Sequence, residues 1–340
     1  MISPRTLRNL KTEFRRSSLA QLGVLLMLVI IATAVFAPFI APHNPTEQDL
    51  EQAHLPPVGV TITENNSTSE MVDGEMTIVM EEETINASAA HPLGTDSLGR
   101  DMLSRVIYGT RTSLIVSLLG TAIAATFGVT VGLIAGYYNN WIDDTLMRTA
   151  DVMLAFPSLV LAIALVGVWG SASIAVPDPF VALGFVQDMP ETFTLPGTVI
   201  LVAGLVNWVW FARVARGEAL SIRSQEYVKA AHATGADNPF IIRKHVFPNS
   251  VTPVLVLATL LVASVVLLES ALSFLGFSGT TLSWGFDIAQ GRQYLASSWW
   301  IAMVPGIAIV LAVISINLIG DWLRDALDPE MDEGESRGGA

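Results

Sequence analysis

The sequence predicts an all-α polytopic membrane protein with six transmembrane helices. Apolar residues make up 51% of the chain and charged residues only 14%, and the mean hydropathy is +0.53. These values lie well outside the averages of soluble domains. Six runs also come close to the roughly 20 apolar residues that a helix needs to cross the hydrocarbon layer. A bilayer is therefore the expected solvent for most of the chain.

The six predicted spans alternate with polar segments. They cover residues 19–40, 112–137, 149–169, 196–212, 251–268 and 299–319. Orientation follows from the basic residues, because positively charged flanks tend to stay cytoplasmic. If the N-terminus is inside, the cytoplasmic segments hold every Lys and Arg except Arg100, Arg105, Arg111 and Arg292. We therefore expect a multi-pass protein of the cell membrane with both termini cytoplasmic.

The N-terminal segment 1–18 combines basic and apolar residues at helical spacing. Its cations are Arg5, Arg8, Lys11, Arg15 and Arg16, and its opposite face carries Leu7, Leu10 and Phe14. This pattern predicts an amphipathic helix that lies on the cytoplasmic membrane surface in contact with lipid. A cationic start is also typical of a signal peptide, but the next apolar run of about 22 residues is longer than a signal core. We therefore predict an uncleaved first span at 19–40.

The segment 41–111 is long and acidic, and it contains no Lys or Arg before Arg100. We expect an external loop that ends in a helix at the membrane surface. Asn65, Asn66 and Asn86 begin N-x-[ST] sequons, which are compatible with an exposed external loop.

The rest of the chain divides into a core and a tail. Residues 112–320 are expected to form a core of five spans with a cytoplasmic loop at 213–250. Residues 321–340 form an acidic cytoplasmic tail, to which we assign no function.

The charge balance excludes one class of partner. The net charge is −13, and the chain has only three lysines, Lys11, Lys229 and Lys244. A surface this acidic repels nucleic acid, so nucleic-acid binding is excluded. Low lysine content with abundant Asp and Glu also suits high salt, where self-repulsion is screened, and favours a halophilic source.

The hydrophilic segment between the fourth and fifth spans carries strong helix punctuation. Residues 221–233 are good helix formers, and Gly235 can end that helix in a left-handed conformation. Asn238 is a suitable N-cap with Pro239 at the first helical position, and Pro248 is expected to close this second helix. The first helix presents Ala230 and other small residues, which favour docking into a groove.

This segment resembles the cytoplasmic EAA loop of ABC-importer permeases. The match rests on Ala230, Ala231, Gly235 and Pro248. Lys229 departs from the pattern, because the family usually has glutamate there, although Glu226 supplies a nearby carboxylate. The resemblance implies that the loop receives the motion of separate ATPase subunits. The residues assigned to it are Glu226, Tyr227, Lys229, Ala230, Ala231, Gly235, Ala236, His245 and Pro248.

A second match covers residues 91–114 and is similar to the signature that precedes the second span in the C-type permeases of dipeptide, oligopeptide and nickel importers. Its polar positions are Gly94, Asp96, Gly99, Arg100, Asp101 and Arg105. We expect Asp96 to cap an interfacial helix, with Asp101 and Arg105 paired at i,i+4. Bracing without ligand contact is the favoured role of most of these residues.

The resemblance extends from about residue 19 to residue 327. Further matches lie at 147–157, 268–276 and 283–285, whereas the acidic part of the first loop and residues 171–195 do not match. The family implies a type I ABC importer permease fold, with a translocation path shared with a second permease.

Four polar residues fall in or near the predicted spans and are candidates for structure or for the path. Arg148 and Asp151 are expected to pair at the cytoplasmic surface, and Glu269 is expected to emerge on the external side. Asn207 lies deeper and is expected to hydrogen-bond between helices. For Asp151 and Glu269 we favour structural anchoring over substrate contact.

Catalysis by this chain is not expected. No lysine follows a glycine, so the phosphate-binding motif G-x-x-x-x-G-K-[ST] is missing. The chain has no cysteine, its five histidines divide between two loops, and no H-E-x-x-H occurs, so we predict no catalytic or metal site. A membrane enzyme or a secondary transporter is the less favoured alternative.

The resemblance implies the remaining parts of the system. They are a second homologous permease, two ATP-binding subunits that hydrolyse ATP with Mg²⁺, and an external substrate-binding protein. Peptides are the expected cargo, and oligosaccharides or nickel complexes remain alternatives, since cargo choice depends largely on the binding protein.

Overall fold

The computed structural model describes residues 4–72, 75–138 and 140–327. These residues form a helical bundle with two β-hairpins. The helices are α1 Pro4–Arg16, α2 Ser18–Val35, α3 Ala37–Ile40, α4 Met102–Tyr138, α5 Trp141–Leu154, α6 Ser158–Trp169, α7 Pro179–Ala182, α8 Gly197–Arg223, α9 Glu226–Ala233, α10 Asn238–Ile241, α11 Phe247–Phe274, α12 Trp284–Gly291 and α13 Trp300–Leu327. The predicted helical membrane fold is confirmed.

Within the described ranges, five helical stretches are long and apolar enough to cross a membrane. They are α2, α4, α8, the stretch from α10 through α11, and α13. The helices α5 and α6 together give a sixth candidate, but they are bent by 93° at the break between them. The third predicted span, 149–169, was therefore wrong as a single straight helix. Pro157 explains the bend, because proline disfavours helical conformation in the residue before it.

The helix α4 has 37 residues and corresponds to a length of about 55 Å at 1.5 Å per residue. That exceeds the hydrocarbon layer of roughly 30 Å. The interfacial helix predicted before the second span is the first part of α4 and not a separate element. This prediction was wrong because the helix that begins at Met102 continues without a break into the span.

Glycines of α4 allow close packing on α8. A Cβ atom at Gly128 would lie 2.2 Å from the carbonyl oxygen of Trp208, and one at Gly132 would lie 2.2 Å from that of Ala212. Only glycine permits this approach, which is typical of helix pairs in membranes. The pair α4 and α8 forms the centre of the bundle, and α11 packs beside it.

Both ends of the described chain lie at one end of the bundle. The ring of Phe14 in α1 contacts that of Trp322 in α13 at 5.6 Å between centroids. The same end carries α9 and α10, so we call it the α9 end. The opposite end carries α12 and the hairpins, and we call it the hairpin end.

The two hairpins lie in segments that the sequence analysis treated as loops. Strands β1 (Thr61–Val72) and β2 (Glu75–Asn86) pair antiparallel with Thr61 opposite Asn86. Strands β3 (Ile174–Pro177) and β4 (Thr192–Leu195) pair with Ile174 opposite Leu195. Both hairpins lie outside the helical bundle's long helices and do not alter the helical fold class.

Candidate functional site

The α9 segment, residues 224–249, follows α8 and runs through α9 and α10 into the first turn of α11. The structure ends α8 at Arg223 and starts α9 at Glu226, so the single helix predicted over 221–233 was wrong. Gly235 ends α9 with φ of +88°, a conformation that strongly favours glycine. The N-cap of α10 is Asp237 and not Asn238, because its carboxylate accepts a hydrogen bond from the backbone N–H of Phe240.

Pro248 does not close a helix. Residues 242–246 form a π-helical turn that continues from α10 directly into α11, and Pro248 lies in the first turn of α11. Proline is tolerated there because its missing N–H is one that the first turn of a helix does not use. From α10 onward the α9 segment is therefore joined to the membrane-spanning part of α11 by continuous helical backbone, with a π-bulge of the kind often found at functional sites.

The inner face of the α9 segment is fixed to the bundle. Val228, Ile241 and Val246 are completely buried in a cluster formed with α4 and α8. At the end of α4, the Tyr137 hydroxyl donates a hydrogen bond to Asn238 Oδ1 at 3.0 Å. The same hydroxyl lies 2.7 Å from His232 Nε2. The segment therefore moves with the ends of α4 and α8 rather than as a free loop.

The outer face of the α9 segment is exposed. Glu226, Tyr227, Lys229 and Ala230 are all exposed on α9. Ala231, Ala236 and His245 are half-buried, and the His245 ring lies between the rings of Tyr227 and Phe240.

Lys229 Nζ donates a hydrogen bond to Glu226 Oε1 at 2.8 Å. This bond and the lysine charge lower the pKa of the Glu226 carboxyl. The lysine at the position where the resemblance predicts glutamate is therefore neutralised within α9 itself.

Sequence reasoning missed a concave surface beside α9. A cavity of about 660 Å³ is lined by Asp237, Pro239, Phe240, Arg243, Lys244 and Pro248. It combines an exposed aromatic ring with two cations and two prolines. The adjacent cations Arg243 and Lys244 were the available signal in the sequence. They lie just before a span, and both line this cavity.

At the hairpin end, Asp96 stabilises a turn and does not cap a helix. Its carboxylate accepts hydrogen bonds from the backbone N–H groups of Leu98 and Arg100, both at 2.9 Å, and from Arg100 Nε at 2.6 Å. The residue that caps α4 is Asp101, whose Oδ2 accepts from the Ser104 N–H at 2.7 Å.

Gly94 and Gly99 have φ of +79° and +73° in this turn. A Cβ atom at Gly99 would lie 1.7 Å from the Asp49 carbonyl oxygen. Glycine is therefore required there for both conformation and space.

Arg105 pairs with Asp287 of α12, and the predicted Asp101–Arg105 pair was wrong. The guanidinium is fully buried, and it also donates to the Thr281 carbonyl at 2.7 Å and to the Pro45 carbonyl at 3.1 Å. Burial raises the pKa of the Asp287 carboxyl, and the charge of Arg105 opposes this shift. Sequence reasoning missed Asp287, which is 182 residues away from Arg105.

The polar residues of the spans also differ from prediction. Asp151 accepts a hydrogen bond from Arg213 of α8 at 2.7 Å, so its expected pairing with Arg148 was wrong. Asn207 donates to the Ala203 carbonyl of its own helix and does not link two helices.

Glu269 does not emerge at the end of a span. The helix α11 continues to Phe274, and the fully buried carboxyl of Glu269 accepts hydrogen bonds from Ser113 at 3.0 Å and Ser273 at 2.7 Å. It joins α4 to α11.

The structure also brings together three possible metal ligands. His43, His91 and Asp101 each place a ligand atom within 4.8 Å of the other two. The sequence analysis predicted no metal site because these residues are separated in sequence and form no recognised motif.

With this geometry in hand, comparison with known proteins decides the family. The family described as "Binding-protein-dependent transport system inner membrane component" matches residues 128–333, which is more than half of the chain. The chain belongs to this family. A second family, the N-terminal transmembrane domain of oligopeptide transport permease C, matches residues 8–57.

Curated relatives cover nearly all of this chain. The dipeptide transport system permease protein of Alkalihalophilus pseudofirmus is 35% identical over 94% of this chain and 88% of its own length. The di/tripeptide permease protein of Pseudomonas aeruginosa is 34% identical over 97% and 94%. A probable D,D-dipeptide permease protein of Escherichia coli is 33% identical over 92% and 88%. These relatives place the chain in the C-type branch of the permeases.

A solved structure shares the fold. The inward-facing methionine ABC transporter MetNI aligns with a TM-score of 0.51 at 16% identity, over 67% of this chain and 98% of that chain. The chain is thus a membrane-embedded transporter subunit of the type I permease fold, and its family implies an ATPase and a substrate-binding protein as partners.

Proposed function

We propose that this chain is the C-type permease of an ABC importer for di- and oligopeptides. The observation that carries the proposal is the α9 segment, whose inner face is fixed to α4 and α8 while its outer face is exposed. Relatives in the same branch of the family are named as permeases for dipeptides or for di- and tripeptides. Peptide cargo is the finer part of the proposal and rests on those relatives.

The proposed assembly has the α9 end in the cytoplasm and the hairpin end outside. Two ATP-binding subunits hydrolyse ATP with Mg²⁺, since this chain lacks a phosphate-binding loop. One of them docks on α9, with the exposed Ala230 and the cavity beside Phe240 and Arg243 as its contact surface. A second homologous permease completes the path, and an external binding protein delivers the peptide.

The coupling is mechanical. A subunit that pulls on α9 acts on α11 through the uninterrupted backbone of α10 and the π-helical turn. It acts on α4 through Tyr137 and on α8 through the buried face around Val228. Rigid-body motion of packed helices of this kind can open the path to one side and close it to the other.

The proposal is tested by purifying the tagged chain in mild detergent and identifying the proteins that co-purify. We expect a second permease and one or two subunits with phosphate-binding motifs, with an ATPase activity that rises when the binding protein and a dipeptide are added. Nickel complexes and an oligosaccharide serve as matched substrates. Stimulation by one of these and not by dipeptides would contradict peptide import, and transport by the chain alone without ATP would contradict the importer.

A further inference from the structure

Three side chains at the hairpin end converge although they come from different segments. His43 follows α3, His91 lies in the turn before α4, and Asp101 caps α4. One ligand atom from each lies within 4.8 Å of the others. They line a cavity of about 200 Å³ together with Glu47, Asp49 and Gln52. The proposed transport role uses none of these groups.

The hydrogen bonds of His91 direct one ring nitrogen to Gln52 and the other to Asp101. His91 Nε2 lies 3.0 Å from Gln52 Oε1, and the Gln52 amide is oriented by donating to Asp49 Oδ2 at 2.7 Å. Since Oε1 can only accept, Nε2 carries the proton in this bond. His91 Nδ1 then faces Asp101 Oδ1 at 3.0 Å. A neutral imidazole and a carboxylate oppose lone pairs there, so a proton or a metal ion must lie between them.

His43 has a matching arrangement. Its Nε2 lies 2.8 Å from the Ala90 carbonyl oxygen, which can only accept, so Nδ1 keeps its lone pair. Its ring lies 4.6 Å from the ring of His91. Metal-binding histidines typically donate the second ring N–H to a carbonyl or an amide oxygen, which fixes the tautomer. Both histidines meet this condition before any metal is considered.

The two carboxylate oxygens of Asp101 have different partners, Ser104 for Oδ2 and His91 for Oδ1. Oδ2 accepts from the Ser104 N–H and hydroxyl, both at 2.7 Å, and this leaves Oδ1 on the side of the histidines. The nearest arginines are committed elsewhere, Arg100 to Asp96 and Arg105 to Asp287. Asp101 is therefore a buried carboxylate, and among the described side chains its basic partner is His91 alone.

We propose that His43, His91 and Asp101 bind a divalent transition metal of the zinc type. Tetrahedral zinc with bonds of about 2.0–2.2 Å places neighbouring ligands roughly 3.3–3.5 Å apart. This spacing lies between the 3.0 Å that separates His91 Nδ1 from Asp101 Oδ1 and the 4.8 Å within which all three ligand atoms lie. Two imidazoles and one carboxylate favour zinc, cobalt or nickel over magnesium and calcium. Water or an oxygen of the cavity supplies the fourth position. The metal would join residues 42–44 to the start of α4.

The test uses the full-length chain, purified with a tag that contains no histidine, and Co²⁺ and Zn²⁺ as probes. Co²⁺ reports its geometry by visible absorption, and the lack of cysteine removes thiolate signals. We expect one Co²⁺ per chain with a four- or five-coordinate spectrum, displaced by one Zn²⁺. Gln52→Ala removes no proposed ligand but deletes the hydrogen bonds of the Gln52 amide to His91 and Asp49, and it should weaken Zn²⁺ binding by about 10–100-fold.

His43→Gln removes a ligand, and binding should fall further than with Gln52→Ala. The matched control is His54→Asn, since His54 is another histidine of the same loop that bonds Ser298 and has φ of +60°, which asparagine tolerates. It should bind Co²⁺ like the parent chain. Thermal unfolding without metal shows whether each variant is folded. Failure of the folded parent chain to bind Co²⁺ would assign a proton to the His91–Asp101 contact and overturn the proposal. Unchanged Co²⁺ binding by folded His43→Gln would also overturn it.

Discussion

At the scale of single residues, two ion pairs of this protein differ sharply in burial. Arg105 and Asp287 are both fully or almost fully buried, and Arg105 also satisfies two backbone carbonyls. Glu226 and Lys229 also pair a carboxylate with a cation, but they lie on the exposed face of α9. Removing one partner of a buried pair leaves an uncompensated charge in a low dielectric, whereas exposed pairs contribute little. The first pair therefore holds α12 against α4.

Asp287→Asn should lower the free energy of unfolding by about 3–5 kcal/mol, because it leaves the Arg105 charge buried without its partner. Glu226→Gln makes the same change of carboxylate to amide at an exposed position and should leave stability unchanged. Thermal unfolding of both variants in detergent, followed by tryptophan fluorescence, measures the difference. Equal midpoints for the two variants would show that the Arg105–Asp287 pair does not hold the hairpin end together.

The residues of the hairpin end also show the limit of sequence reasoning. The importance of Asp96, Asp101 and Arg105 could be predicted from the signature in which they lie. Their partners could not, because i,i+4 spacing favours Asp101 for Arg105 and gives no access to Asp287, 182 positions away. Glu269 was misplaced for the same reason, since the serine from α4 that satisfies it is distant in sequence.

At the scale of elements, the positions of the helices were more predictable than their ends. Apolar runs located the long spans, and Gly235 correctly marked the end of α9. The π-helical turn and the joining of α10 to α11 were not predicted. Pro248 lies in the first turn of α11, and the sequence does not distinguish a proline that begins a helix from one that ends it. The bend between α5 and α6 was missed because hydropathy does not report direction.

Gly235 gives a test of the α9 segment as a mechanical element. Its φ is +88°, and a Cβ atom there would meet nothing within 4 Å, so strain is conformational and not steric. Gly235→Val should therefore distort the link between α9 and α10 and reduce peptide uptake more than ATP hydrolysis. Gly235→Asn is the matched control, because asparagine tolerates the left-handed region, and it should retain more of the coupling. Reconstituted vesicles give both rates, and full uptake by a correctly folded Gly235→Val protein would refute the assignment.

At the scale of the whole molecule, acidic residues outnumber basic residues. The net charge is −13, and the chain carries 31 acidic residues against 18 basic ones. Many apolar side chains of α2 face outward, as expected for a helix in lipid or against another subunit. We infer a protein adapted to high salt, since self-repulsion of this size weakens the compact state unless salt screens it.

The salt dependence of stability tests this inference. We expect the thermal midpoint of the purified chain in detergent to rise with added NaCl, because the Debye length falls from about 10 Å at 0.1 M to 3 Å at 1 M. Sucrose at matched osmolality is the control for effects other than screening. A midpoint that falls with NaCl would contradict the inference, and so would equal stabilisation by sucrose.

If α9 is the docking element for an ATP-hydrolysing subunit, site-directed photo-cross-linking should join the two chains there. The chain has no cysteine, so Ala230→Cys on α9 and Gln48→Cys at the hairpin end each introduce one labelling site at an exposed position. The same photoreactive maleimide is attached to both, and the adducts from the intact complex are identified. We expect the Ala230 label to join a subunit with a phosphate-binding motif and the Gln48 label not to do so. An ATP-binding subunit joined to the Gln48 label, with none joined to the Ala230 label, would contradict both the docking site and the proposed orientation.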